Sequence, residues 1–271
     1  MGEGMVRRKI ALWLLGALTA LFFLPAVLPA QEGTVGSSLV DPGEEGKRQA
    51  MTGTAKSRAP EDLTGYWVAL VTEDWLYRMV TPAKGDYESV PLTAEGIKLA
   101  DSWDPAKDEA AGNQCKAYGA AAIMRVPGRL HITWENDATL RIDTDAGTQT
   151  RLLHFDGQPA STGPPQWQGF STAEWQRFGG GRGVPLSGGY LKVETTHMRP
   201  GYLRKNGVPY SGNAVLQEYF TRVNEPDGNS YLIVTTILND QLYMNGAFTT
   251  SSHFKKLPDA SGWRPTPCKA R

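Results

Sequence analysis

The 271-residue chain predicts an antiparallel all-β domain of about eight to nine strands with one or two short helices. Three observations carry that expectation. After Ala122 the chain breaks into short runs rich in β-branched and aromatic residues. Pro127-Gly128, Asn136-Asp137 and Asp145-Ala146-Gly147 separate these runs at hairpin spacing. Eight Trp, ten Tyr and eight Phe supply bulk for a core in a chain of single-domain length. A closed barrel and a two-sheet sandwich both satisfy the pattern. Closure removes exposed sheet edges, and a barrel of roughly eight strands can hold one small ligand, so the barrel is preferred.

At the N-terminus, Arg7, Arg8 and Lys9 precede an apolar run over residues 10–24, and Ala26-Val27-Leu28-Pro29-Ala30 ends on a small residue. This is the pattern of a secretory signal peptide over residues 1–30, and it makes the protein exported, periplasmic or secreted. The apolar run is about fifteen residues, short of the roughly 20 that span a bilayer, so no stable membrane anchor is expected after processing. Residues 31–60 are rich in Gly, Ser, Thr, Glu and Lys, and read as a disordered tether. One β-barrel domain is expected over residues 61–271. Losing residues 1–30 removes three of the 28 basic and one of the 28 acidic side chains, leaving a net charge of −2. A near-neutral chain without a basic block offers no footprint for nucleic acid.

Residues 63–72 open the domain as a strand, with residues 76–80 continuing it or forming the next. Thr93 as N-cap and Glu95 in the first turn predict a helix over residues 93–103, closed off before Pro105. A helical turn follows around residues 107–111. Strands are expected at residues 123–126, 129–134, 139–143 and 148–155. Residues 159–189 form a long Gly- and Pro-rich excursion, with a helical turn at residues 172–177. Strands at residues 189–198, 214–223 and 230–238 complete the pattern, the last being the final clear one. Gly179-Gly-Gly-Arg-Gly183 lacks the Lys-Ser/Thr ending of a phosphate loop and reads as a loop that covers a barrel mouth.

Cys115 and Cys268 are the two cysteines. In an oxidising compartment they most simply form one disulfide, with two free thiols as the alternative. Metal thiolates rank third, because neither cysteine has a Cys-x-x-Cys partner or an adjacent His. No metal site and no cofactor are expected.

Several pieces carry a resemblance. They are Leu63-Thr-Gly-Tyr-Trp67, the Cys115 segment with Pro127 and its hairpin, Arg151-Leu-Leu-His-Phe-Asp-Gly157, Gly189-Tyr-Leu-Lys-Val-Glu-Thr-Thr196, and residues 263–268. Together they resemble a group of mostly uncharacterised secreted bacterial lipocalin-like β-barrel proteins. Gly65-Tyr-Trp67 is similar to the Gly-x-Trp of lipocalin first strands, where the Trp closes the barrel floor. Where the group often has a compact Gly-x-Trp-x-Gly-Asp turn, this chain carries a longer Gly-rich loop. The resemblance implies a barrel and export, and brings no reaction or catalytic residue with it.

Two functions follow from the side chains, and fold alone does not choose between them. The first is binding of a small, largely apolar molecule. Trp67, Trp75, Tyr77, Trp134 and Phe155 would form the wall, with Arg78, Arg151 and His154 as polar anchors. The second is a cofactor-free barrel enzyme, an isomerase, hydratase or lyase, with Asp74, His131, His154 and Glu194 as acid/base candidates. Strand alternation puts His131 opposite Leu130 and Ile132, and Glu194 opposite Leu191 and Val193. In Glu73-Asp74-Trp75-Leu-Tyr77-Arg78, an Asp beside Arg stays ionised and can orient a base, bind a polar ligand, or simply pin a strand end. A third reading is an envelope interaction protein using the outer surface.

Overall fold

The computed structural model describes residues 53–157, 163–179 and 187–271. The expected signal peptide, residues 31–52 of the expected tether and residues 180–186 of the Gly-rich loop lie outside them.

Nine strands close into a barrel. They are β1 (Gly65–Leu70), β2 (Arg129–Asn136), β3 (Thr139–Thr144), β4 (Gln149–His154), β5 (Phe170–Phe178), β6 (Ser187–Thr196), β7 (Val215–Asn224), β8 (Ser230–Asn239) and β9 (Phe248–Leu257). Each strand pairs with its neighbours in sequence, and β1 pairs with both β2 and β9 to shut the ring. The expected antiparallel sheet is in fact mixed: β4 and β5 run parallel, with Leu153 opposite Ser171 and His154 opposite Thr172. Arithmetic requires this. A closed ring with an odd number of strands cannot alternate direction throughout, so at least one pair must be parallel. A parallel pair needs a long crossover, and residues 155–169 supply it.

Inward positions alternate along every strand and form one contiguous core. Trp67, Ile132, Ile142, Leu153, Leu191, Val193, Phe220 and Val234 are each fully buried within it. The core also holds a charged pair. Arg151 on β4 donates to both carboxylate oxygens of Glu218 on β7, at 3.0 and 2.5 Å, and to Thr195 Oγ1 at 3.4 Å.

Residues 53–63 cross the end of the barrel where β1 begins. Trp175 Nε1 donates to the Ala55 carbonyl (2.9 Å), Arg177 to that of Arg58 (2.6 Å) and Arg222 to that of Asp62 (2.6 Å). Lys256 donates to the Thr64 carbonyl and sits 4.7 Å from the Trp67 ring centroid. The last eight residues of the expected tether are thus laid against the barrel. Backbone groups make much of this contact, the Ala55 and Arg58 carbonyls and the Lys56 N–H, which donates to the Asp137 carbonyl, so a reading of side-chain composition did not see it.

The opposite end is covered by residues 71–128 and 197–214. The first segment contains helices α1 (Trp75–Met79), α2 (Ala94–Asp101), α3 (Pro105–Ala110) and α4 (Ala120–Ile123). The Thr93 hydroxyl accepts from Gly96 N to start α2, as the capping pattern predicts. A second cluster including Leu92, Ala100, Met198, Leu203, Val208 and Tyr210 holds these loops together.

Four local expectations are corrected. Residues 76–79 are helical and Val80 is the extended residue that follows, because Asp74 adopts the left-handed conformation (φ 49°, ψ 30°) and ends the extended run. Of residues 123–126, Ile123 ends α4 and 124–126 form a turn and bend instead of a strand. Residues 172–177 lie within β5, where cross-strand pairing with β6 overrides the local helical pattern. A further strand, β9, follows residues 230–238.

Cys115 and Cys268 form a disulfide, with Cα atoms 5.1 Å apart. The chain end is also tied by Thr266–Pro267, which pairs in parallel with Ala146–Gly147. Gly147 has φ +77°, and a Cβ there would meet Tyr118 Cδ1 at 2.3 Å, so only glycine fits this crossing.

Candidate arginine cleft at the barrel end

Helix α1 begins on a strained residue. Asp74 is its N-cap, yet its side chain makes no capping hydrogen bond and instead lies 3.0 Å from Arg125 Nη2. A non-glycine residue held in left-handed geometry, with its carboxylate diverted from the cap, costs local stability that tertiary contacts must offset. Arg78, one turn further on, pairs with Glu73 and donates through Nε to the Arg125 carbonyl at 2.8 Å. The expected Asp–Arg neighbour pair is therefore exchanged. Arg78 takes Glu73, and Asp74 takes an arginine about fifty residues away in sequence.

Arg204 lies between Gly201–Tyr202 and Pro209–Tyr210, which pair as a small hairpin. It donates to the Glu88 carbonyl (2.9 Å) and Ser89 Oγ (3.0 Å), and its guanidinium stacks 4.0 Å from the Tyr77 ring centroid. Tyr77 in turn donates to Glu88 Oε2 at 3.2 Å.

These groups line a cleft with about 100 Å³ of solvent-accessible space. Its cationic lining is Arg78, Arg125, Arg204 and Lys205. Tyr77, Met79, Val80, Ala117, Ala122, Val126, Pro127 and Leu203 supply most of the rest. Arg78, Arg125 and Arg204 are all more than nine-tenths buried. Arg78 Nη2, Arg125 Nη1 and Arg204 Nε nevertheless have no hydrogen-bond acceptor among the described residues. Burial pulls the Arg78 guanidinium below its ordinary range, with Glu73 opposing and Arg125 reinforcing the shift. Burial and then Arg125 do the same to Arg204. Three guanidiniums are thus brought together out of water with nitrogens that no protein acceptor meets, an arrangement that costs free energy as it stands.

The remaining sequence-predicted residues are dispersed. Trp67 is fully buried in the barrel core, and Arg151 is spent on Glu218. Trp134, Phe155 and Trp175 form an aromatic row near the end crossed by residues 53–63, with centroids 5.6 and 5.4 Å apart. Trp75 is a correction: it is 60% exposed and belongs to no interior wall. His131 stacks on Tyr66 at 4.0 Å with Trp263 at its edge, and His154 stacks on Phe170 at 5.0 Å. Register places His131 opposite Asp143 and His154 opposite Thr139, so neighbouring strands do not bring the two together. Glu194 is exposed and accepts from Gln217 Nε2 at 3.3 Å. Of the proposed acid/base set, only Asp74 reaches the cleft region, where it serves Arg125.

Arg125, Arg204 and Lys205 were not singled out from the sequence. Arg125 did leave a trace there, as a lone charge between Ile123-Met124 and Val126-Pro127. Among the described residues, no group of three or more His, Cys, Asp or Glu side chains could hold a metal. None of the described helices is long and apolar enough to cross a membrane. No protein-family model, curated protein or solved structure matches the chain.

Proposed function

We propose that the protein is an exported, lipocalin-like β-barrel that binds a small molecule carrying an oxyanion, a carboxylate or a phosphate, in the arginine cleft. The observation that carries this reading is the set of buried guanidinium N–H groups lining a cavity without acceptors. A bound oxyanion would accept charge-assisted hydrogen bonds from them and offset the cost of their burial. Tyr77 and the aliphatic lining would hold the ligand's apolar part, so a few polar groups orient it and apolar contact retains it. Carriage in the barrel interior is the weaker placement, since fully buried side chains occupy that core. Export rests on the N-terminal pattern, and the disulfide is compatible with it. The acid/base alternative lacks a convergent set, because His131, His154 and Glu194 lie on three separate strands and each is engaged with a different partner, Tyr66, Phe170 and Gln217.

Isothermal titration with hexanoate and with hexyl phosphate tests the reading. At least one is expected to bind the purified protein, with an affinity that falls as salt is raised. Arg125→Met, which keeps the aliphatic stem, is expected to weaken binding by about 10–100-fold, the worth of a charge-assisted hydrogen bond. Absence of binding by both compounds at millimolar concentration would refute the proposal.

A further inference from the structure

We infer that helix α1 docks the cleft onto an anionic phospholipid surface, its exposed apolar side chains entering the bilayer interface while the arginines take a lipid phosphate. This rests on the anion-binding reading above and names the source of the anion.

The observation is where exposed apolar residues fall. Nine large hydrophobic side chains are exposed among the described residues, and four of them lie within six positions: Trp75 (60%), Leu76 (50%), Met79 (61%) and Val80 (57%). Scattered apolar residues are ordinary on a surface, but a contiguous group marks an interaction site. Trp75 and Met79 are one helical turn apart, and Val80, extended just past the helix, donates its N–H to the Leu76 carbonyl at 3.2 Å, so the four are neighbours along one short segment. Arg78, on the same short helix, is buried beneath it. Met79 and Val80 also line the cleft, so patch and cleft share a rim.

The order of depth suits one occupant. The four apolar side chains are half or more exposed, and the three guanidinium side chains are more than nine-tenths buried. At a bilayer, Trp and aliphatic groups enter the interface while cations meet the phosphates nearer the water. A small soluble anion would satisfy the arginines and leave Trp75 and Leu76 in water. An apolar protein surface would cover the patch and leave the arginine donors unmatched. An amphiphilic surface with phosphate heads meets both requirements. The charged residues of the lining are all basic, and the nearby acids are committed or peripheral. Glu73 pairs with Arg78, Asp74 with Arg125, and Asp86 and Glu88 border Tyr77.

The test is co-sedimentation of the purified protein with phosphatidylcholine vesicles and with equal mixtures of phosphatidylcholine and phosphatidylglycerol, beside titration with hexyl phosphate. Sedimentation with the mixed vesicles only is expected. Trp75→Ser with Leu76→Ser, two exposed positions outside the cleft lining, is expected to weaken it at least about tenfold while leaving hexyl phosphate binding unchanged, since two exposed apolar groups lose their interfacial burial. Both side chains are exposed, so folding should be retained, which circular dichroism checks. Hexyl phosphate binding without vesicle binding would overturn the membrane inference and leave the cleft reading standing. Loss of both would overturn the two together. Vesicle binding unaltered by the double substitution, or unaltered by Arg125→Met, would also overturn the inference. So would a concentration-dependent dimer abolished by Trp75→Ser and Leu76→Ser, which would assign the patch to a second copy of the chain.

Discussion

Arginine is used in two ways in this molecule, and the contrast separates structure from candidate function. Arg151 is fully buried, and both its terminal nitrogens donate to Glu218. Such a pair is costly to break and cheap to replace, because removing one partner strands the other's charge in the core. Glu218→Leu alone is expected to destabilise the fold by about 3–5 kcal/mol, whereas Arg151→Met combined with Glu218→Leu should cost clearly less. Urea denaturation of the single and double variants decides this. Equal losses would show that the pair's worth lies in packing and not in charge compensation. Arg125 differs, since Asp74 compensates its charge while its Nη1 donor goes unused. Both arginines keep a buried nitrogen without an acceptor, Nε in Arg151 and Nη1 in Arg125, but only Arg125 lines a cleft.

At the scale of elements, β9 shows why local pattern misleads. Its inward positions include Phe248, Thr250, Ser252, Phe254 and Lys256, and the polar members blur the alternation expected of a core strand. Two hydrogen-bonded ladders specify it, with β8 on one side and β1 on the other. Helix α1 is the reverse case. With five residues and no side-chain cap it could not persist alone, and Arg78 pins it through Glu73 and the Arg125 carbonyl. Truncating the chain before Phe248 would expose the edges of both β1 and β8. Such a variant is expected to be insoluble or unfolded by circular dichroism, since open edges template aggregation. A soluble, cooperatively melting truncation would show that closure is not required.

For the whole molecule, ring and disulfide act on different states. The ring joins neighbours in sequence, with β1 and β9 as the long-range seam. The Cys115–Cys268 bond closes a separation of 153 residues and restricts the unfolded chain. On the chain-entropy account that is worth roughly 4–5 kcal/mol, and often less in practice. Cys115→Ser with Cys268→Ser is therefore expected to lower the melting temperature while leaving the far-ultraviolet spectrum unchanged. An unchanged melting temperature would count against the restriction. Thiol counting on denatured, unreduced wild-type protein should find no free thiol.

The all-β class, most barrel strands, the capped helix α2 and the cysteine pairing were legible from residues 61–271, because alternation, turn residues and cysteine count are local properties. Tyr77, Arg78 and Asp74 were marked for the same reason, as charge and aromatic groups crowded into one short segment. The partners that make that segment a site, Arg125 and Arg204, come from distant loops. No spacing rule links them, because their meeting is set by how two loop layers pack over the barrel end. The parallel β4–β5 pair was equally hidden, being imposed by the odd strand number of the closed ring. Trp67 and Trp75 make the division plain: identical side chains eight positions apart, one fully buried and one 60% exposed. Residue type sets what a side chain can do, and packing of remote segments decides whether it fills the core or meets the solvent.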